Sequence, residues 1–94
     1  MSRSRISDKL RTLRAEILRD GVPEFWVYGP GSVRCPAPSW EAANEAARSF
    51  AYRSKGVEYR AEERRALRGI VCLARSRSWT SYGVLDAFQA EVVA

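Results

Sequence analysis

The residues best suited to holding a ligand lie between Phe50 and Arg75. Arg60, Arg64 and Arg68 recur every four residues, and Arg75 follows seven later. A guanidinium group is planar, permanently charged and offers paired N–H donors that match a phosphate or a carboxylate. Tyr52, Arg53, Lys55 and Tyr59 lead into this run, so rings are interleaved with cations. Aromatic rings give bases a stacking surface, and cations contact phosphates. Read as a helix at about 100° per residue, the run places all four arginines within an arc of about 80°. On that wheel Glu62 and Glu63 fall off the ridge, so they do not neutralise it, and Val71 falls inside its arc. The chemistry expected of Tyr52, Arg53, Lys55, Tyr59, Arg60, Arg64, Arg68 and Arg75 is non-covalent capture of something acidic. A solvated helix face is the plainer alternative, because runs of charge often do no more than solvate.

The totals support that kind of partner and exclude several kinds of chemistry. The chain has 94 residues, 16 basic and 11 acidic, and carries a formal charge of +5 with no histidine. Apart from Lys9 and Lys55, every basic residue is arginine. Without histidine there is no ordinary general base at neutral pH, and a cysteine nucleophile has no imidazole partner. Cys35 and Cys72 alone do not supply the four ligands of a structural zinc site. Glu62 and Glu63 are adjacent, so on a helix they diverge by about 100° and make no catalytic pair. The Gly-Pro-Gly-Ser stretch at residues 29–32 lacks the Gly-Lys-Ser/Thr of a phosphate-binding loop and reads as a turn. The expectation is no enzyme, no catalytic residue, no cofactor and no metal. No apolar run reaches the ~20 residues of a membrane span, and no signal-peptide pattern opens the chain. A cytoplasmic location with two reduced thiols and no membrane partner is the corresponding expectation.

The elements that must position these residues follow from periodicity. Ile6, Leu10, Leu13 and Ile17 form the stripe of an amphipathic first helix, capped by Ser4 or Ser7 and ended by Gly21 and Pro23. Glu24–Tyr28 and Ser32–Cys35 flank the glycine-rich turn as a short hairpin, and Pro-Ala-Pro blocks its continuation. Ser39 caps a second helix that begins at Trp40 and ends at Lys55-Gly56, with an alanine-rich inner face. A third helix is predicted over 60–75, with Leu67, Ile70, Leu73 and Ala74 inward. A last helix is predicted from Ser81 toward Val92. The predicted fold is a single small α+β domain, mainly α, with three to four helices and one short β-hairpin. Leu13, Ile17, Phe50, Leu67, Ile70 and Phe88 are its predicted core. Leu73-Ala74, the turn at Ser76–Ser78 and Val84 match part of a helix-turn-helix spacing, but Arg77 and Ser78 stand where that motif wants an apolar residue and glycine. Two packed helices joined by a short turn explain the same spacing.

The function expected from these features is that of a small non-enzymatic binding protein. Its Arg-rich surface engages nucleic acid or a nucleoprotein complex. The alternative is a phage or mobile-element inhibitor of a host defence complex, of the anti-CRISPR kind, using the same surface on an acidic protein. A structural or assembly subunit that forms a homo-oligomer through the first helix is the third reading.

Overall fold

The computed structural model describes residues 2–91. In chain order these form helix α1 (Ser2–Asp20), strand β1 (Val22–Tyr28), a short 3-10 turn (Pro30–Ser32), strand β2 (Arg34–Ala37), helix α2 (Trp40–Arg53) and strands β3 (Tyr59–Leu67), β4 (Ile70–Thr80) and β5 (Gly83–Gln89). The strands make one antiparallel sheet in the order β2-β1-β3-β4-β5. Helix α2 carries the chain back across the sheet, so β3 pairs with β1 on the side away from β2.

The mainly helical fold is overturned: the chain is a five-stranded sheet with two helices among its described residues. The predicted third helix is the β3–β4 hairpin, and the predicted last helix is β5; Val92 lies outside the described residues. Ala, Glu, Arg and Leu dominate Tyr59–Leu67, and all favour helix in isolation. Burial decides against that preference. Strand alternation sends Tyr59 and Ala61 under α2, where Ala61 is fully buried. Arg68 and Gly69 turn the chain with φ of 53° and 79°, the pair of positive values that a two-residue type I′ hairpin requires. Leu67 and Ile70 close that turn as a cross-strand pair. The partial helix-turn-helix match falls with the same finding, because Leu73 through Ser78 all lie within β4.

Other expectations land closer. Helix α2 has Ser39 as its cap, its hydroxyl oxygen accepting from the Ala42 N–H at 3.0 Å. The first hairpin forms, with β2 starting later than predicted and running through Pro36. Helix α1 begins at Ser2, so Ser4 and Ser7 lie inside it and are not caps. Its C-terminal end is fixed at Gly21, whose N–H donates to the Ile17 carbonyl at 2.8 Å. A side chain at Gly21 would collide with that same carbonyl oxygen.

The core also differs from the predicted one. Val27, Trp40, Ala43, Ala47 and Ala61 form its centre, with Phe25, Tyr59 and Trp79 packed around them. Alanines at 43, 47 and 51 are fully buried and let α2 lie close against the strands. Of the six predicted core residues only Ile17 is buried, whereas Phe50, Ile70 and Phe88 are exposed. Leu13 and Leu67 are half-buried. Both cysteines are free, on β2 and β4. Those strands are three pairings apart, roughly 14 Å at sheet spacing, well beyond the reach of about 7 Å between Cα atoms that a disulfide allows.

This packing gives a direct test. Ala47→Leu forces a larger side chain between helix and sheet and should lower stability by about 1–3 kcal/mol. Ile70→Ala, at the exposed hairpin end, should change it by less than about 0.5 kcal/mol. Urea unfolding of both variants reads the difference; a larger loss in the Ile70 variant would place the core elsewhere.

Candidate nucleic-acid interface

Register sorts the side chains of the sheet onto two faces. Residues paired across an antiparallel sheet share a face, and neighbours along a strand alternate. Phe25, Val27, Tyr59, Ala61 and Trp79 face α2. The end of α1 lies on that same side, with Leu18 beside Glu63, Arg65, Arg75 and Gln89. The opposite face carries Trp26 and Tyr28 from β1, Arg34 from β2, Arg60, Glu62 and Arg64 from β3, and Ser76 and Ser78 from β4. Among the described residues no helix covers it.

On this open face the two rings of β1 are each accompanied by a cation. The Arg34 guanidinium carbon sits 5.0 Å from the centre of the Trp26 ring. Those of Arg60 and Arg64 sit 5.7 Å and 5.4 Å from the Tyr28 ring. Such pairs hold a guanidinium flat on an aromatic face by attraction to its negative quadrupole. Glu62 lies between Arg60 and Arg64 and is only 3% exposed. Its Oε2 forms an ion pair with Arg60 Nε at 2.9 Å, and its Oε1 accepts from Arg64 Nε at 3.0 Å. The cluster therefore holds three guanidinium groups against the buried Glu62 and the exposed Glu24, which stands opposite Arg64, with Arg34 free of an ion pair among the described residues. The Tyr28 hydroxyl is shielded and has no hydrogen-bond partner.

The helix face repeats the arrangement with Glu63. Arg65 Nε donates to Glu63 Oε2 at 2.9 Å, and Arg75 Nε donates to Oε1 at 2.8 Å. The Arg75 guanidinium also lies over the Trp40 ring, 4.3 Å from its centre. Trp79 Nε1 donates to Asn44 Oδ1 at 2.8 Å, tying the sheet to α2.

The predicted arginine ridge is therefore dispersed. Arg60 and Arg64 do share a surface, because a spacing of four is also an even spacing on a strand. Arg75 points to the other face, and Arg68 stands at the hairpin turn, paired with Glu16 at 3.1 Å. Tyr59 packs beneath α2, its ring stacked 5.5 Å from that of Phe50. Tyr52, Arg53 and Lys55 lie exposed at the end of α2, on the helix side of the sheet. The acids predicted to stand clear of the ridge instead sit between its members and bind them. Trp26, Tyr28, Arg34 and Glu62 are the residues that reading missed. Their signal was present in Glu24–Tyr28, where alternate residues of a recognised strand must face opposite ways.

No three His, Cys, Asp or Glu side chains gather among the described residues in a way that could hold a metal ion. No described helix is long and apolar enough to cross a membrane. Comparison with known protein families, with curated proteins and with solved structures finds no match.

Two substitutions test this geometry. Glu63→Gln weakens two charge-assisted hydrogen bonds at a buried site and should cost about 1–3 kcal/mol. Glu45→Gln, at an exposed pair with Arg48, should cost less than about 0.5 kcal/mol by comparison. Tyr28→Phe removes a shielded hydroxyl without a partner and should be neutral or stabilising by up to about 1 kcal/mol. Thermal and urea unfolding measure all three; a clear loss in the Tyr28 variant would mean that its hydroxyl is bonded.

Proposed function

We propose that the protein is a non-enzymatic binding protein that holds single-stranded nucleic acid, free or within a nucleoprotein complex, on the open face of its sheet. The observation that carries this reading is the pairing of Trp26 with Arg34 and of Tyr28 with Arg60 and Arg64 on a face without a helix. Two rings at alternate positions of one strand offer successive stacking surfaces, and the guanidinium groups beside them can reach the backbone that joins the stacked bases. Unpaired strands suit this face better than a duplex, because a duplex keeps its base faces covered by its own stacking. The positive net charge favours the encounter. Glu62 tempers the affinity: Arg60 and Arg64 must share themselves between it and any phosphate. Arg34 has no such competitor, so it is the first cation expected to contact the ligand.

A protein partner is the second reading, and a different feature favours it. Between the first hairpin and α2 lies an apolar groove of about 540 Å³, lined by Val27, Val33, Cys35, Pro36, Phe50 and Tyr59 among others. Val33 and Phe50 are 60% and 46% exposed there. An inhibitor of a defence complex or an assembly subunit would use such a groove for an apolar anchor from its target.

Binding of single-stranded oligonucleotides, followed by Trp fluorescence or anisotropy at several salt concentrations, separates the readings. Trp26→Ala should weaken binding by about 1–3 kcal/mol with the melting temperature nearly unchanged. Arg34→Gln should reduce the magnitude of the salt slope by about 0.7, the share of one phosphate contact on a single strand. If the parent shows no salt-dependent binding to any single strand, the nucleic-acid reading falls and the groove becomes the surface to pursue.

A further inference from the structure

The two edges of the sheet are not equivalent. On β2, Gly29 N–H donates to the Val33 carbonyl at 2.8 Å, and alternation from that pair turns Pro36 away from β1. Proline has no N–H, so this edge offers a further strand the Arg34 donor alone where a β5-like edge offers two. On β5, Ala90 N–H donates to the Ala74 carbonyl at 2.8 Å. Alternation then directs the Phe88 and Asp86 amides to β4 and turns Ala87 and Gln89 outward. The strand contains no proline, lysine or arginine, and Val84, Leu85 and Phe88 are 53%, 60% and 41% exposed. Native proteins blunt an edge with charge or proline, and β5 has one such guard. Asp86 Oδ1 accepts the outward Ala87 N–H at 2.9 Å.

We propose that β5 pairs antiparallel with β5 of a second copy, extending the sheet across a two-fold axis. This is independent of what the open face binds. The strand is self-complementary about Phe88. An axis there sets the two Phe88 rings opposite each other in a close, non-hydrogen-bonded pair, the spacing that favours aromatic cross-strand contact. Ala87 and Gln89 then exchange backbone hydrogen bonds with Gln89 and Ala87 of the other copy, and Asp86 falls opposite Ala90, clear of its own counterpart. An isologous contact of this kind closes at two copies. Head-to-tail growth through β2 is disfavoured by Pro36, which removes one of that edge's two outward N–H donors. The contact is small, so the dimer is weak and concentration-dependent. Asp86 must release the Ala87 amide before it forms, and so acts as a brake on association.

Sedimentation of the whole chain over concentrations from about 1 μM to 1 mM, a range that spans weak self-association, is the test. The parent should pass from monomer to dimer. Phe88→Lys should weaken association more than about tenfold, as loss of a central aromatic contact does. Asp86→Ala should tighten it by about tenfold, because each copy frees one edge amide. Leu10→Glu, on the exposed stripe of α1, should leave it unchanged. Hydrogen exchange keeps the test decisive if the Phe88 variant is unstable: the Gln89 amide should gain protection as concentration rises, and the β2 amides should not. A parent that stays monomeric throughout overturns the proposal. So does a dimer that survives Phe88→Lys, dissolves with Leu10→Glu, or forms without added protection at Gln89.

Discussion

Strand β3 carries two adjacent carboxylates, Glu62 and Glu63, each 3% exposed, in the middle of the sheet. A strand sends neighbouring side chains to opposite faces, so one carboxylate serves each side. An ionised carboxylate at such a site is strongly unfavourable unless charge and hydrogen bonds compensate it. Each is met by two arginines: Arg60 and Arg64 for Glu62, Arg65 and Arg75 for Glu63. Three of those four come from the same strand, at positions two residues from the acid they bind, which is the same-face spacing. The charged centre is thus built largely from local sequence. It requires β3 to be a strand, because on a helix a separation of two points side chains nearly apart.

That requirement explains why the segment misled a reading by periodicity. The spacing of four among Arg60, Arg64 and Arg68 fits a helix and a strand equally well. Composition favoured the helix, and the acids looked detached from the arginines only on a helical wheel. On the strand the same letters read as alternating acid–base pairs, one set for each face. Helix α2 was legible because its signals are local: a serine cap, small residues at helical spacing and a glycine at its end. The first hairpin was legible for the same reason. The β3–β4 and β4–β5 pairings depend on contacts with α2 and β1 that are distant in sequence, and Arg68-Gly69 is a turn whose residues gain meaning only once the flanking segments are known to be strands. The core was misjudged in consequence. Helical periodicity places the large apolar residues at the hairpin end and on the edge strand inward, whereas in the fold alanines do most of the close packing.

The distribution of charge follows from the same pairing. Five of the arginines in β3, β4 and the turn between them are bound to acids: Arg60, Arg64, Arg65, Arg68 and Arg75. The densest basic stretch of the sequence is therefore not the strongest source of unpaired positive charge. Much of the net charge lies instead in α1, whose residues Lys9, Arg11 and Arg14 are exposed. Among its described side chains, helix α1 packs against the sheet through its C-terminal part: Ile17 is 1% exposed and Leu10 is 61% exposed. A ligand attracted over distance by the whole field would sense α1 as well as the sheet. On the proposed nucleic-acid reading, contact specificity would still come from the open face, because stacking needs rings and α1 contributes no aromatic residue.

The paired arginines have a consequence for how any ligand is held. A guanidinium group already bonded to Glu62 and lying beside Tyr28 has lost much of its rotational freedom before the ligand arrives. Holding it there reduces the ordering that binding must impose, which favours affinity. The same carboxylate competes with an incoming phosphate for the N–H donors, which opposes it. The balance depends on geometry. Each guanidinium has five N–H donors in a planar fork, and Glu62 occupies only part of that fork on each of its two partners. Donors remain for a second acceptor on the outer edge. Glu62 is therefore better described as an orienting group than as a neutralising one: it holds Arg60 and Arg64 beside the ring while their side chains stay 46% and 36% exposed.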